Sequence, residues 1–571
     1  MRTRSLPAPR RISFRFSPHG TRAACLREAG GVGHLIESWS FVDDSVAAHQ
    51  GGGETEHTQP MPTEAGPVVL VRNGSTGHEV AILDGGEEQT VGRFDCPGLR
   101  AVPSPRPDTL AWLIARQHRG TSVLHRIGAA DRTPEPVAEL PGQPHGESWL
   151  AGDRLAANLI GADGRRLVTI DPRDGSVTTH AGPEGPAVLL ASTANDRLLV
   201  VARTATGPRL GWFSPGATGV DLSAELNAIP GTVLPLTFDP TGRRLALRVT
   251  DGARSRLVIH DTDRHSNTEI AVPPGVIGTA GWSDTGLRFV FSGPTRPADV
   301  ATAGAVAPDD WRVDLGPAPH PDAHDARLRR FAGPDGPIEA VCYGPEPSLA
   351  RHVVLALHGG PEAAWQLGFD RVFQRLAAAG IAVVAPNQRG STGYGSAHRQ
   401  AINGAWGGPD LADIRHLGVR LGRSGRAPML FGTSYGAFLA LLAAATEPAA
   451  WSRCVAVAPF LSARRLHAEA GPAVRSLIDR LGGRIQLDDE LGPRDLFQLG
   501  ERIRTPVLIL HGEHDDVIPV TQSRVLADRL RRAAAPVRYR EIPTGGHNPL
   551  HEPGGEVLLD ELVGFLLRED R

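Results

Sequence analysis

One stretch decides the fold of the second half of this chain: Phe431-Gly432-Thr433-Ser434-Tyr435-Gly436-Ala437-Phe438. A short apolar run typical of a buried strand precedes it, and a run of Leu and Ala residues typical of a helix follows it. The pattern Gly-x-Ser-x-Gly at such a turn predicts a strained elbow that lifts the Ser434 hydroxyl out of a sheet. It also aims the next backbone N–H, that of Tyr435, at a developing oxyanion. Read alone, the pattern fits an ordinary helix start rich in small residues equally well, so its meaning depends on the rest of the chain.

Apolar runs around this stretch alternate with segments of helical pattern. The predicted strands are 353–357, 381–385, 429–431, 454–458, 507–510 and 537–542, and a hairpin of 326–331 and 338–343 precedes them. Continuous apolar strands with intervening helices predict a mostly parallel, doubly wound sheet that is covered on both faces. In such sheets the residues that do chemistry gather at the carboxyl ends of the strands.

Candidate partners for Ser434 follow the last two predicted strands. Asp515, with Asp516 in reserve, comes after the first of these two, and a carboxylate there could hold the tautomer of a histidine. His547, with His551 as its rival, lies in a Gly-flanked loop after the second. The chain order Ser, Asp, His is that of α/β-hydrolases, so we expect Ser434, Asp515 and His547 to form a catalytic triad.

A metal site is the competing interpretation of the segment around the predicted acid, because His511 and His514 lie close to two aspartates. No second His/Asp cluster with ligand spacing occurs in the sequence, and serine chemistry does not need a metal. We therefore expect neither metal nor cofactor. The chain also contains no lysine, which excludes a Ser-Lys dyad and a Schiff-base mechanism.

The segment His358-Gly359-Gly360-Pro361 follows the strand 353–357. Two glycines let the backbone approach a substrate closely, so Gly359 and Gly360 are expected to offer the second oxyanion donor. His358 is a candidate donor as well, or a residue that only orients the loop. A tight turn with no further duty is the alternative for the whole segment.

The first half of the chain repeats a phrase in which an apolar residue, a small polar turn and an arginine lead into an apolar run. Clear copies lie at 16–22, 238–246 and 282–290, and weaker copies lie near 109, 154 and 197. Steps of about 44 residues predict four-stranded propeller blades, and a degenerate copy near 67–70 makes seven. A pair of β-sandwiches with accidental spacing is the alternative.

These patterns divide the chain into an N-terminal tail (1–11), a β-propeller (12–315), a Pro-rich linker (316–325) and an α/β-hydrolase domain (326–571). The propeller repeats gather no catalytic residue types, so we expect the propeller to enclose the site or filter access to it. Within the propeller, the Gly-, Glu- and Thr-rich stretch 47–66 is predicted to be a mobile surface loop.

Charge and cysteine content limit the classes of binding partner and the cellular compartment that we expect. The formal net charge of −3, from 60 basic and 63 acidic residues, argues against nucleic acid or an anionic membrane as the main partner. Four scattered cysteines without a CxxC motif indicate reduced thiols, and neither a signal peptide nor a membrane span is indicated. We expect a cytoplasmic protein with a small peptide-like substrate, and the sequence is compatible with a homo-oligomer.

Taken together, the chain resembles the prolyl oligopeptidase family of serine peptidases, above all its acylaminoacyl-peptidase-like branch. The phrases that carry the resemblance are His358-Gly359-Gly360-Pro361, Asn387-Gln388-Arg389-Gly390-Ser391-Thr392-Gly393-Tyr394-Gly395, Trp406-Gly407-Gly408, Gly432-Thr433-Ser434-Tyr435-Gly436, His511-Gly512-Glu513-His514-Asp515 and Gly546-His547. The resemblance covers nearly the whole chain. It implies that Ser434, Asp515 and His547 form the triad, that the Tyr435 N–H helps line the oxyanion hole, and that the propeller restricts access to short peptides.

The chain departs from the family pattern at positions that bear on specificity. Val517 stands where the family often carries an arginine two residues after the catalytic Asp. The segment 459–467 contains no tyrosine, although members that hold proline often show tyrosines there. A preference for proline is therefore not implied, and no paired-glutamate phrase of the dipeptidyl peptidase kind is evident.

From these observations we expect a serine hydrolase that cleaves amide bonds of short peptides or acyl-peptides through an acyl-enzyme. The main alternative is an amidase, esterase or acyl transferase that acts on a specialised peptide-like metabolite. A non-catalytic propeller scaffold with a silent hydrolase domain is the third interpretation.

Overall fold

The computed structural model of the chain describes residues 9–568, except for 31–32, 75–76, 119, 183, 193, 308–309, 320 and 424. Most of the predicted N-terminal tail thus lies outside the described residues. Within the described ranges, no helix combines the length and the apolar character that a bilayer crossing requires.

The first domain is a ring of seven sheets, each built from four consecutive antiparallel strands. The strands of the first four blades are β1 (Arg11–Phe16), β2 (Arg22–Glu28), β3 (His34–Ser40), β4 (Ser45–Glu54), β5 (Thr58–Pro62), β6 (Val68–Asn73), β7 (His78–Asp84), β8 (Glu87–Phe94), β9 (Gly98–Pro103), β10 (Thr109–Arg116), β11 (Ser122–Gly128), β12 (Pro134–Leu140), β13 (Gln143–Trp149), β14 (Leu155–Gly161), β15 (Gly164–Ile170) and β16 (Val177–Ala181). Those of the last three are β17 (Ala187–Ala191), β18 (Leu198–Thr204), β19 (Gly207–Phe213), β20 (Asp221–Leu222), β21 (Thr232–Phe238), β22 (Arg244–Asp251), β23 (Arg254–Asp261), β24 (Ser266–Ile270), β25 (Val276–Ser283), β26 (Gly286–Gly293), β27 (Arg296–Ala307) and β28 (Asp310–Asp314). The predicted seven-bladed propeller is confirmed. Its period could be read because each blade repeats one buried strand pattern.

The ring closes by side-chain packing, because no strand is shared between the first and last blades. Phe14 of β1 and Val290 of β26 belong to one buried apolar cluster. At the same seam Gly20 has φ +65°, and a Cβ there would lie 2.4 Å from the backbone nitrogen of Trp282. Only glycine therefore lets the two blades approach this closely.

The prediction of a mobile loop at 47–66 is wrong. Most of this stretch belongs to two strands, the end of β4 and the whole of β5. β4 pairs with β3 as the outer strand of the first blade, and β5 pairs with β6 as the inner strand of the second. The backbone hydrogen bonds of the ladders outweigh the low intrinsic strand preference of Gly and Glu, because strand preference depends strongly on context.

The second domain is built on an eight-stranded sheet with the order β29-β30-β32-β31-β33-β34-β37-β38. Its strands and the small two-stranded pair beside it are β29 (Ala326–Gly333), β30 (Gly336–Tyr343), β31 (His352–Leu357), β32 (Ile381–Pro386), β33 (Met429–Thr433), β34 (Cys454–Val457), β35 (Asp488–Asp489), β36 (Gly492–Pro493), β37 (Val507–Gly512) and β38 (Val537–Ile542). The helices are α1 (Ala224–Asn227, in the propeller), α2 (Arg371–Ala378), α3 (Ser396–Gln400), α4 (Pro409–Gly422), α5 (Tyr435–Thr446), α6 (Ala463–Glu469), α7 (Pro472–Arg480), α8 (Leu496–Leu499), α9 (Thr521–Arg532) and α10 (Glu556–Leu566), with short 3₁₀ turns at Ala151–Asp153, Pro448–Ala450 and Gly500–Arg502. The predicted α/β-hydrolase sheet, opened by an antiparallel hairpin, is confirmed.

Both faces of the sheet are covered, as continuous apolar strands require. One apolar cluster lies between the sheet and α4, α5 and α9, and the other lies between the sheet and α2 and α10. Six neighbouring strands of the sheet run parallel, in the order β32-β31-β33-β34-β37-β38. Their carboxyl ends therefore share one edge of the sheet. The loops that follow β31, β33, β37 and β38 meet at this edge.

The two domains contact each other through buried polar groups. Arg371 of α2 is buried and binds Glu28 of the propeller at 3.0 Å and Glu556 of α10 at 2.6 Å. Gln374, one turn further along α2, donates to the carbonyl of Pro294 in the propeller at 2.8 Å. These contacts lie at the end of the propeller where its inner strands begin. This end of the ring therefore faces the second domain.

Candidate active site

Ser434 lies between the end of β33 and the first residue of α5, as the Gly-x-Ser-x-Gly pattern predicts. Its φ of 55° and ψ of −119° belong to a strained region that residues with a Cβ rarely adopt. A Cβ on Gly432 would lie 2.2 Å from the carbonyl oxygen of Gly436, and a Cβ on Gly436 would lie 2.2 Å from that of Leu357. The two glycines are therefore required sterically, and the turn presents the Ser434 side chain at the edge of the sheet.

The loop after β31 packs directly against this serine. A Cβ on Gly359 would lie 3.4 Å from the Ser434 Cβ, so the Gly359 backbone faces the nucleophile candidate. The next residue, Gly360, has φ +125°, which again favours glycine. Tyr435 begins α5, and the first amides of a helix have no partner within the helix. Backbone segments from two elements, the loop at Gly359 and the start of α5, thus lie beside Ser434.

His358, the third predicted residue of this loop, is buried and oriented by two contacts. Its Nδ1 lies 2.7 Å from the Gly359 carbonyl oxygen, and its Nε2 lies 2.7 Å from the Ser391 hydroxyl. Burial lowers the pKa of His358 to about 4, so the ring is neutral near pH 7. Because both ring nitrogens are engaged, the geometry favours the interpretation in which His358 orients the loop.

Asp515 lies just after β37 and is 8% exposed. One carboxylate oxygen, Oδ1, accepts from the backbone N–H groups of Val517 at 2.9 Å and Ile518 at 2.8 Å. Burial alone would raise the pKa of Asp515, but hydrogen bonds from His511 and His547 and the nearby amides hold it well below its usual range. The carboxylate is therefore ionised and fixed.

His547 contacts the other oxygen of this carboxylate. The distance from His547 Nδ1 to Asp515 Oδ2 is 2.7 Å, and the imidazole side chain is 18% exposed. Because a carboxylate oxygen only accepts, Nδ1 carries the proton and Nε2 is left as a base. The reserve residues lie elsewhere: Asp516 is exposed, and His551 lies beside Arg10 at the domain interface.

The loop that carries His547 is held by a residue that the sequence did not single out. The carboxylate of Glu552 accepts from the N–H of Gly546 at 2.9 Å and from that of Asn548 at 3.2 Å, on either side of the histidine. Burial raises the pKa of Glu552. On the opposite side, a Cβ on Gly512 would lie 2.1 Å from the Gly546 carbonyl oxygen, so the acid loop and the histidine loop are in backbone contact.

The phrase 387–395, used above only to identify the family, holds the Gly359-Gly360 loop. The Asn387 side chain accepts from the Trp365 N–H at 2.7 Å and donates to the Trp365 carbonyl at 3.0 Å. The Thr392 N–H donates to the carbonyl of Ala363 at 2.9 Å. The sequence signal for such a supporting role is a run of polar residues directly after a buried strand. The sequence does not show which loop these residues bind.

The same phrase also contacts the propeller. The Gly252 N–H of the β22–β23 turn donates to the Gly393 carbonyl at 3.0 Å. Next to it, the Tyr394 hydroxyl donates to a Glu339 carboxylate oxygen at 2.9 Å, and the Ala253 N–H reaches the same oxygen at 3.3 Å. One segment therefore binds both the propeller and the loop that faces Ser434.

Behind the elbow, Tyr435 is fully buried and bonded to a carboxyl group. Its hydroxyl donates to Asp410 Oδ2 at 2.6 Å, and its ring meets Trp406 edge to face with centroids 5.1 Å apart. Burial raises the pKa of Asp410 to about 6. The Trp406-Gly407-Gly408 phrase and the start of α4 thus fix the residue that follows the nucleophile candidate.

The raised pKa of Asp410 predicts a pH dependence of stability. The folded carboxyl holds its proton more tightly than the unfolded one, so this contribution is complete below about pH 4 and is lost as the pH rises through 6. We expect Asp410→Asn, which cannot ionise, to gain on the order of 2 to 3 kcal/mol relative to wild type between pH 4 and pH 8. Urea unfolding followed across this range measures the difference. The exposed Asp516→Asn is the control, and an Asp410→Asn curve parallel to wild type would contradict the assignment.

Among the described residues, no group of three or more His, Cys, Asp or Glu side chains could hold a metal ion. His511 and His514, the ligands of the competing metal interpretation, do not converge. His511 is buried against Ser523, whereas His514 is exposed. The four cysteines are free, and burial raises the pKa of each of the thiols.

A β-propeller followed by an α/β-hydrolase domain with a serine elbow defines a class of two-domain hydrolase folds. Residues 367–569 match the model of the prolyl oligopeptidase family. The second domain is thus a prolyl oligopeptidase family domain.

Curated relatives match over part of this chain. Dipeptidyl aminopeptidase BIII of Pseudoxanthomonas mexicana is 29% identical over 224 residues, which are 38% of this chain and 32% of that protein. The acylamino-acid-releasing enzyme of Mus musculus is 24% identical over 364 residues, which are 57% of this chain and 49% of that protein. These alignments span about a third of the first relative and about half of the second.

Solved structures match over both domains. The uncomplexed acylaminoacyl peptidase of Pyrococcus horikoshii has a TM-score of 0.75 at 15% identity, with 99% of this chain and 97% of that chain covered. A puromycin-hydrolyzing peptidase of Mycobacterium tuberculosis has a TM-score of 0.75 at 18% identity, with 98% and 97% covered. This similarity confirms the two-domain fold.

Proposed function

We propose that the chain is a serine hydrolase that cleaves amide bonds of short peptides or acyl-peptides. The observation that carries the proposal is the 2.7 Å contact between His547 Nδ1 and Asp515 Oδ2 on neighbouring loops, at the sheet edge where the elbow presents Ser434. The family of the domain and the peptidase names of the relatives support the same activity.

In the proposed reaction, His547 Nε2 takes the hydroxyl proton of Ser434 as the serine oxygen bonds to the amide carbonyl carbon. Asp515 holds the imidazole in this tautomer and stabilises the imidazolium. The tetrahedral oxyanion binds the N–H of Tyr435 and the Gly359-Gly360 backbone. His547 then gives its proton to the leaving amine, the C–N bond breaks, and an acyl-enzyme remains. Water, deprotonated by His547, attacks the ester and releases the acid and Ser434.

A cavity in the propeller supports the proposal that substrate size is limited. A cavity of about 880 Å³ opens at the end of the propeller that lies away from the second domain, where the innermost strand of each blade ends. Its lining includes Phe16, Trp149, Phe238 and Trp282. Large folded proteins do not fit a space of this volume, whereas short peptides do. We propose that the propeller admits short, extended substrates and keeps folded proteins away from Ser434.

A second candidate function keeps the chemistry and changes the substrate. Two of the similar solved structures are described as puromycin hydrolases, at 18% and 20% identity, and puromycin is a peptide-like amide. An amidase, esterase or acyl transferase acting on such a metabolite would use the same residues. Adding free amines to the reaction separates the outcomes, because an acyl transferase makes new amides and a hydrolase makes acids.

We also propose a cytoplasmic location, which the four free cysteines support. Three of the four thiols are buried, and unpaired thiols suit a reducing compartment. Fractionation of cells expressing the tagged chain would test this.

Labelling with a fluorophosphonate probe tests the proposed function. We expect one covalent adduct per chain, mapped by tandem mass spectrometry to the peptide that contains Ser434. A mixed peptide library, digested in parallel and analysed by mass spectrometry, should show cleavage of short members and a clear upper size limit. Absence of any adduct on the folded protein would contradict the proposal and favour the scaffold interpretation.

A further inference from the structure

A second histidine lies against the acid of the proposed triad. His511 stands in β37 at 0% exposure. Its Nε2 lies 2.9 Å from the Ile518 carbonyl oxygen and 3.2 Å from Asp515 Oδ2, and its Nδ1 lies 2.6 Å from the Ser523 hydroxyl. The reaction proposed above gives this buried imidazole no part.

The neighbours of His511 define its tautomer. A carbonyl oxygen and a carboxylate oxygen can only accept, so Nε2 carries a proton, which lies between the Ile518 carbonyl oxygen at 2.9 Å and Asp515 Oδ2 at 3.2 Å. Ser523, at the start of α9, can donate its hydroxyl proton to Nδ1, and the ring is then neutral. His511 therefore presents a fixed N–H to the carboxylate.

Asp515 Oδ2 thus lies between two imidazoles, with His547 Nδ1 at 2.7 Å and His511 Nε2 at 3.2 Å. We propose that His511 is a positioning residue that fixes Asp515 Oδ2 toward His547 and withdraws part of its negative charge. The proposal rests on the proposed function, since it assigns a role to a neighbour of the same triad. Val517 and Ile518 already bind the other oxygen, so His511 completes the set of donors around the carboxylate.

The contact between His511 and Asp515 should change how strongly the carboxylate attracts a proton on His547. A carboxylate that accepts from a second donor attracts the imidazolium less strongly than one that accepts from His547 alone. Loss of the His511 N–H would therefore favour the protonated form of His547. That form cannot act as the base, so the reaction of Ser434 would begin at a higher pH.

Other ionisable groups near this pair come from three elements. Glu552, on the histidine loop, faces Asp515 and is bound to backbone amides. Glu541, in β38, faces His511 and is bound to Arg524 of α9 at 2.9 Å. Asp516 and His514, on the acid loop itself, are exposed. All of these remain in the variants described next, so differences between variants report the His511 contact.

The experiment measures the rate of fluorophosphonate labelling of Ser434 from pH 5 to pH 9 in three variants. Asn at 511 places its amide near the Nδ1 position and loses the donor to Asp515, whereas Gln reaches the Nε2 position and can keep it. We expect His511→Asn to raise the midpoint of the pH profile by roughly half a pH unit and His511→Gln to restore most of the shift. Ser523→Ala removes the other contact of the ring and should leave the midpoint near that of wild type.

The outcomes separate the two proposals. If wild type is not labelled, the proposed function fails. If wild type is labelled but His511→Asn keeps the wild-type midpoint, with only a lower labelled fraction or lower thermal stability, His511 is structural and the inference is overturned. If Ser523→Ala shifts the midpoint as much as His511→Asn does, general loosening of the acid loop explains the effect and the inference fails as well. Circular dichroism of each variant confirms that folded protein is compared.

Discussion

Replacing Ser434 by alanine is expected to lower kcat toward an acyl-peptide reporter by on the order of 10⁵- to 10⁶-fold and to abolish fluorophosphonate labelling. The reaction needs an oxygen nucleophile at the elbow, and the methyl group of alanine offers none. The backbone should not change, because serine and alanine carry the same Cβ at the φ of 55°. Steady-state kinetics with the reporter measure kcat, and gel-based detection of the bound probe measures labelling.

Ser348→Ala is the matched control for this variant. Ser348 is exposed in the same domain, and its hydroxyl lies 3.5 Å from a carboxylate oxygen of Glu346. Its removal should leave labelling and turnover within about twofold of wild type. Undiminished labelling of Ser434→Ala at wild-type stability would mean that another residue is the nucleophile.

The second large effect is expected from the acid. Asp515→Asn should lower kcat by on the order of 10⁴-fold, because an asparagine amide cannot hold the productive tautomer of His547 or stabilise its imidazolium. The loss should be smaller than for Ser434→Ala, since the serine and the oxyanion donors remain. Steady-state kinetics of both variants with one reporter substrate give the comparison.

Asp516→Asn is the control here, and it also tests the choice between the two aspartates. Asp516 is exposed, and Asp515 is the residue in contact with His547. We expect Asp516→Asn to stay within about threefold of wild type. If Asp516→Asn were the more damaging change, the assignment of the acid would be wrong and the acid loop would have to rearrange when substrate binds.

Periodicity made most of the fold predictable. The recurrence of a turn phrase with a fixed step marked the blades, and apolar runs marked the central strands of the sheet to within a few residues. The stretch 47–66 was missed because local composition favoured a loop, while its strands form through pairing with the adjacent strands β3 and β6. Strand pairing of this kind leaves a weak trace in local sequence.

The site was predictable only in part. Ser434, Asp515 and His547 each follow a strand, and a parallel sheet brings such positions to one edge. The choice of Asp515 over Asp516 in the structure depends on the direction of each side chain. The contacts of His511, Glu552 and Asn387 depend on loop packing that no spacing encodes. These supporting residues could be suspected as polar groups beside motifs, but their partners could not be named.

The segment 387–395 ties the β22–β23 turn of the propeller to the loop that faces Ser434. The two domains are therefore not interchangeable modules. A chimera that joined this hydrolase domain to the propeller of a relative would have to keep a turn of the same length and backbone shape at Gly252 and Ala253. Without it, the Gly393 carbonyl would lose the Gly252 donor and Glu339 would lose the Ala253 donor, and the transplanted domain would carry the proposed triad beside a loosened Gly359-Gly360 loop.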